Sequence, residues 1–403
     1  MGTTVVNTKA LVDDGIITAQ VAAEIVDRGR ATMVQMAVDV VLCFGITAVI
    51  GGLIFWLADP LPVAVTGFVL LAIGLFSLSR GTENLKFLGN AISLIGAGLL
   101  IGGATFELLD KHEAFAGPVL TIGGAAISLL CFWRWQTGAL TSAFVLGAIL
   151  LMGLAAHLVG IAFWLDFVDA DRFWKPVFMA YATVLVAGAG WLLDVRFVTA
   201  LAIIPFAQIL DTGTGYFGAI YAFWSPESTL SILSMIALIG VLWVVLRRRV
   251  ERDKRHGRIL SQLAFIVANL CALVGSLWGD WVGETTWGPK YSRDRDLYDS
   301  YEAWSAARDA FRENALFISE HWYSIIWAVV LVCLIFFAAK KGMRGLFNAS
   351  MTFAAIHAYT QLFESFADEP LAYVIGGLAA IALAWAIWRL NQNWFADSKS
   401  STG

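Results

Sequence analysis

Apolar residues run along this chain in long blocks broken by short polar punctuation. The block VVLCFGITAVIGGLIFWLA, Val40–Ala58, holds no charged residue. A helix needs roughly 20 apolar residues to cross a hydrocarbon core about 30 Å thick. Comparable blocks follow at Leu61–Ser79, Phe87–Phe106, Phe115–Trp133, Gly138–Leu165, Pro176–Leu193, Val198–Trp224, Thr229–Leu246, Ile259–Val282, Trp322–Ala339, Gly345–Phe363 and Leu371–Trp388. The pattern predicts an all-α fold, a polytopic transmembrane helix bundle of about twelve membrane helices.

The seventh block is overlong. As a straight helix, the 27 residues of Val198–Trp224 would span about 40 Å. It contains DTGTGYFG, in which Gly213, Gly215 and Gly218 match the spacing of a dinucleotide-binding turn. That turn requires a preceding strand and a βαβ context, which an apolar block does not supply. The expectation is a membrane helix broken near Gly213, with no nucleotide.

Polar stretches divide the chain further. Residues 1–37 read as a cytoplasmic N-terminal helical hairpin, with Gly15 as its turn and Thr18 as the cap of its second arm. Residues 38–282 hold membrane helices one to nine, and 283–321 form an outer loop. In that loop Leu297, Tyr301, Trp304 and Phe311 recur near helical spacing, which predicts an amphipathic helix. Residues 322–390 supply the last three crossings, and 391–403 a disordered cytoplasmic tail.

Composition agrees with lipid as the solvent. The chain is 59% hydrophobic and 14% charged, against about 25% charged in soluble proteins. With the N-terminus inside, 19 of the 27 bases fall in cytoplasmic segments, so both termini are expected there. Seven of those bases, Arg247, Arg248, Arg249, Arg252, Lys254, Arg255 and Arg258, crowd one short loop. They are expected to attract anionic lipid at about 1 kcal/mol each. The opposite face is acidic, and nothing indicates a nucleic-acid partner. A membrane-protein partner or a second copy of the chain is the other partner expectation.

Cys43, Cys131, Cys271 and Cys333 lie in separate apolar blocks, and HEAFA at His112 lacks the second histidine of a zinc helix. No metal or cofactor is expected. Ionisable groups inside a membrane cost about 2.5–3.5 kcal/mol on insertion scales, which makes them functional candidates. The chain offers Asp39, His157, Asp211, Asp280, His357 and Glu364. Asp211 and His357 each sit about 20 Å from the basic boundary by helical rise. His357, Gln361 and Glu364, at i, i+4 and i+7, share one helix face. Asp211 is expected to face that stripe across a polar cavity. An interhelical hydrogen-bond patch explains the stripe as well.

The N-terminal LVDDGIITAQVAAEIVDRGR, running into a first membrane helix, resembles the bacterial membrane-protein family called domain of unknown function 2157. ENLKFLGNAISLIGAGLLIGGA, PVLTIGGAAISLLCFWRW, FNASMTFAAIHAYTQLFESF and YVIGGLAAIALAWAIWRLN resemble its later segments. The resemblance implies a polytopic inner-membrane protein and names no reaction. Permeation or transport of a small solute or cation fits the broken helix and the mid-depth acid and histidine. An envelope-assembly or scaffolding role fits small-residue motifs such as Gly98-x-x-x-Gly102. A membrane enzyme acting on lipid-linked substrates ranks below both, because no nucleophile–base pair is present.

Overall fold

A computed structural model describes residues 15–57, 59–80, 83–137, 143–170, 173–217, 222–290 and 298–366, with isolated positions and short runs elsewhere. The fold is all-α. Among the described residues the strands form two two-stranded antiparallel ladders. Two compact units divide the chain, Met1–Ala170 and Asp171–Gly403, so the boundary falls inside the stretch 38–282.

The first unit holds α1 (Ala19–Leu57), α2 (Pro60–Arg80), α3 (Glu83–Lys111), α4 (Glu113–Gln136) and α5 (Ala143–Phe167). The turn at Gly15 has φ +69°, and Thr18 Oγ1 accepts from Val21 N at 3.3 Å. From there α1 runs unbroken past residue 38, so the hairpin arm and the first apolar block are one helix. Nothing between them stops it: the stretch has no proline, and its lone Gly29 costs only about 1 kcal/mol.

Glycines seven residues apart set the packing of this unit. Gly67 on α2 meets Gly96 on α3, while Gly74 meets Ser93 and Gly103 meets Pro60 and Ala64. Likewise Gly124 on α4 meets Gly153 on α5, while Gly117 meets Trp164 and Gly160 meets Leu120 and Thr121. A Cβ at Gly96 would lie 2.7 Å from Leu71 Cα, and one at Gly124 would lie 2.9 Å from His157 Cα. The two helix pairs therefore meet backbone to backbone, as small residues permit in lipid. The Gly98-x-x-x-Gly102 motif is not the close face. Gly98 looks onto the Ile50 side chain of α1, and Gly102 has nothing within 4 Å. Gly98 lies two residues past Gly96 and Gly102 one residue before Gly103, so both fall off the seam that Gly96 and Gly103 define.

The second unit contains α6 (Trp174–Leu192), α7 (Arg196–Leu201), α8 (Ile203–Ala207), β1 (Gly215–Phe217), β2 (Ala222–Trp224), α9 (Ser228–Leu246) and α10 (Glu251–Trp278). It continues with β3 (Asp280–Trp281), α11 (Tyr301–Asn314), β4 (Phe317–Ile318), α12 (Glu320–Lys340) and α13 (Arg344–Phe366). Ile203, Met235, Ala264 and Ala268 join α8, α9 and α10 in one apolar cluster. Ile335, Ala338, Phe347 and Met351 join α12 to α13. The amphipathic helix expected around Tyr301 is α11.

Eight helices among the described residues are long and apolar enough to cross a membrane. They match the blocks at Leu61, Phe87, Phe115, Gly138, Pro176, Thr229, Ile259 and Trp322. The Val40 block lies within α1 and the Gly345 block within α13, neither among those eight, while Leu371–Trp388 falls largely outside the described residues. Val198–Trp224 departs from expectation. Helix ends at Ala207, not near Gly213, and among the described residues it next begins at Ser228. Large apolar side chains such as Phe68, Ile122, Val184 and Ile325 stand exposed on the outer faces, as lipid contact demands.

Candidate functional site

Both ends of the second unit are built from polar contacts between segments distant in sequence. The chain leaves α6 at Asp194 and returns to its start at Asp211, where Lys175 of α6 bonds the carboxylate. Residues 194–211 thus travel the length of α6, which 19 residues make about 28 Å long. They do so through two short helices split at Ala202, just before Pro205, and then a turn. Proline has no N–H for the helix ladder, and Asp211 and Gly213 take left-handed backbone, φ +53° and +68°.

Asp211 is the hub of that turn. Lys175 Nζ lies 2.5 Å from its Oδ1, and Lys290 Nζ lies 2.5 Å from its Oδ2 and 3.2 Å from its carbonyl. Burial pushes the carboxyl up, but the hydrogen bonds from Lys175 and Lys290 outweigh it and hold Asp211 below its ordinary value. Behind it Thr212 Oγ1 donates to Ala207 O at 3.1 Å, and Gln208 Nε2 donates to Thr214 O. Thr214 Oγ1, fully buried, meets Ser225 Oγ at 2.9 Å and Ser231 Oγ at 2.7 Å.

Two carboxyls are buried beside this turn. Glu227, wholly inaccessible, accepts from Gly283 N at 2.5 Å, Thr285 N at 3.0 Å and Thr285 Oγ1 at 2.9 Å. Asp280 is 3% exposed, and its Oδ2 accepts from Thr229 N at 2.8 Å and Tyr323 OH at 3.2 Å. Asp280 thereby caps α9 from the end of α10. Gly279, at φ +67°, turns the chain so that this cap forms. Gly275 leaves room for the Tyr323 ring, since a Cβ there would lie 2.6 Å from it. Burial raises both carboxyls above their ordinary values, and each feels the charge of a neighbouring acid.

The long loop closes over this region. β3 pairs with β4, Asp280 opposite Ile318 and Trp281 opposite Phe317. On α11, Arg312 forms a fork onto Glu284 at 2.8 and 2.9 Å, and Trp304 Nε1 donates to Pro289 O at 3.1 Å. The amphipathic helix α11 is thereby docked on the 281–290 segment of its own chain.

The stripe on α13 is met in part. His357 Nε2 lies 3.0 Å from Ser324 O, which can only accept, so this nitrogen carries the proton. Gln361 accepts from Ser324 Oγ at 2.9 Å and donates to Ser276 Oγ at 3.3 Å. Glu364 is exposed. Asp211 bonds Lys175 and Lys290, and His357 bonds Ser324. His157 belongs to the first unit, where its Nδ1 donates to Thr121 O at 2.7 Å and ties α5 to α4. The side chain of Asp39 lies outside the described residues.

At the opposite end, the basic loop is partly committed to protein contacts. Arg252 donates to Trp191 O and Leu192 O, satisfying the last carbonyls of α6, and stacks 4.7 Å over the Trp191 ring. Arg255 lies 3.4 Å from Asp194, and His256 Nε2 lies 2.9 Å from the same carboxylate. The His256 hydrogen bond, helped by Arg255 and Arg252, holds the Asp194 carboxyl below its ordinary value. Arg247, Arg248, Arg249 and Arg258 remain exposed.

Sequence reading missed Lys175, Glu227, Thr229, Thr285, Lys290 and Tyr323. Only Glu227 carried a signal, an acid at the mouth of an apolar block. Among the described residues no group of three or more His, Cys, Asp or Glu converges as a metal site would require. No protein-family model, curated protein or solved structure matches the chain.

Proposed function

We propose that the second unit admits or moves a small solute or cation through its polar end. The carrying observation is the segment 194–227, which traverses the unit without a membrane-length helix. Backbone outside a helix is tolerated at membrane depth only inside protein or along a wet cavity. Interrupted helices of this kind form the binding sites of many transporters. The bases at one end, including Arg247–Arg249 and Lys340–Lys341, favour that end as cytoplasmic, which puts Asp211, Glu227 and Asp280 outside. Exposed Arg247, Arg248, Arg249 and Arg258 then remain for anionic lipid.

The test is water access. Single cysteines at Gly215 and Tyr216, which the turn leaves partly or fully exposed, in a protein otherwise free of cysteine, should react with a membrane-impermeant thiol reagent added from outside. The substitution Asp211→Asn should cut cation flux into proteoliposomes at least tenfold. A turn that no aqueous reagent reaches from either side overturns the reading and is what a packed scaffold would give.

A further inference from the structure

Glu227 and Asp280 bring two carboxyls into one buried region where neither forms an ion pair among the described residues. The nearby cations are engaged elsewhere: Lys175 and Lys290 on Asp211, Arg308 and Arg312 on Glu284. Two uncompensated buried charges are far costlier than one, so such pairs retain a proton.

The hydrogen bonds decide where the proton sits. Glu227 takes three donors, spread over both oxygens, which is the environment of an anion. Asp280 takes donors on Oδ2 alone; its Oδ1 is buried and without a hydrogen-bond partner among the described residues. A neutral O–H left unpartnered costs about 1–3 kcal/mol, and an unpartnered anionic oxygen costs more. The hydroxyls line up accordingly. With Tyr323 OH donating to Oδ2, Thr229 Oγ1 donates to Tyr323 at 2.5 Å, so the chain of donors ends on the Asp280 carbonyl oxygen.

We infer that Asp280 is a proton-binding site, held as a neutral acid with its proton on Oδ1 beside an ionised Glu227. The charged and titratable groups around it are Glu227 ahead of α9, the buried Cys271 thiol on α10, Glu284 with Arg308 and Arg312 on the loop side, and Tyr323 on α12. Thr229 N at the start of α9 favours the anion, and the combined burial and acid neighbours oppose it. The site stands whether or not the protein moves a solute, because it rests on the two carboxyls and not on the path of residues 194–227.

Infrared spectroscopy of the full chain in lipid nanodiscs tests it. At neutral pH a carboxylic-acid C=O band should be present. Carboxyl-labelled 13C-aspartate should shift it, and 13C-glutamate should leave it in place. Asp280→Asn should abolish the band, while Asp39→Asn, which alters another aspartate in an apolar stretch, should retain it. Tyr323→Phe, which removes a donor to that carbonyl without removing the acid, should move the band and covers the case in which Asp280→Asn does not fold. No band at neutral pH, or a band that follows glutamate labelling or survives Asp280→Asn, overturns the assignment.

Discussion

The first unit is held by the absence of side chains and the second by their chemistry. In α2–α5, glycines at every seventh position let backbones touch, and the polar contacts between elements are few, such as His157 to Thr121. In α6–α13, helix ends are joined by carboxylates, lysines and hydroxyls reaching across tens of residues. A glycine seam brings backbones together without contributing side-chain chemistry of its own. Polar joints cost desolvation, and they place acids where a proton or ligand can be held. The comparison directs the search for activity to the second unit.

The sharpest way to break it is to add one branched side chain to a seam. Gly96→Val pushes atoms into the Leu71 backbone and should destabilise by more than about 3 kcal/mol. Hydrogen exchange read by mass spectrometry should show protection lost in α2 and α3 and kept in α9 and α10. Equal loss in both units would erase the distinction.

A polar joint should be nearly as sensitive. Glu227→Leu fills similar space but strands the amides of Gly283 and Thr285 and the Thr285 hydroxyl. A loss of about 2 kcal/mol is expected in detergent unfolding, with exchange rising first in residues 281–290. At the opposite end Arg252→Ala frees the Trp191 and Leu192 carbonyls on a half-exposed surface, and should cost about 1 kcal/mol or less.

The smallest effect is a pair of slopes with opposite sign. Asp211 is held below its ordinary value of 3.8, so its contribution is present above that value and is lost as pH falls through the lowered one. Glu227 and Asp280 are raised, so their contribution is full below their ordinary values of 4.5 and 3.8 and is lost as pH rises through the raised ones. Unfolding followed against pH should show Asp211→Asn flattening the acid limb and Asp280→Asn the alkaline one. No change in either limb would mean these groups titrate alike in folded and unfolded chains.

Hydropathy made most of the helices legible because each block is long, uniform and bounded by charge. It failed at Val198–Trp224 because Gly, Thr, Tyr and Phe read as apolar while Pro205, Gly213 and Asp211 dictate a turn. The Thr18 cap and the α11 helix were readable for a local reason, a cap or a period within a few residues. Glu227 was not, since its partners lie 56 and 58 residues away. Lys175 and Lys290 looked like ordinary boundary charges for the same reason. Asp280 stood out only as an acid at a helix end, and its unpartnered oxygen required the fold.

The shortness of α7 and α8 also bears on how the chain enters the bilayer. Arg196–Ala207 is a twelve-residue apolar stretch, about 18 Å as helix. An insertion machinery that sorts segments by length and apolarity would release α6 and α9 to lipid one at a time. It would have no span to release between them. Segment 194–227 must therefore wait in a wetter compartment until α6 and α10 offer Lys175, Trp191 and His256 as its surroundings. Biogenesis of this unit becomes a late, cooperative event, and chains truncated after Leu246 should leave this segment open to protease although α6 and α9 are already inserted.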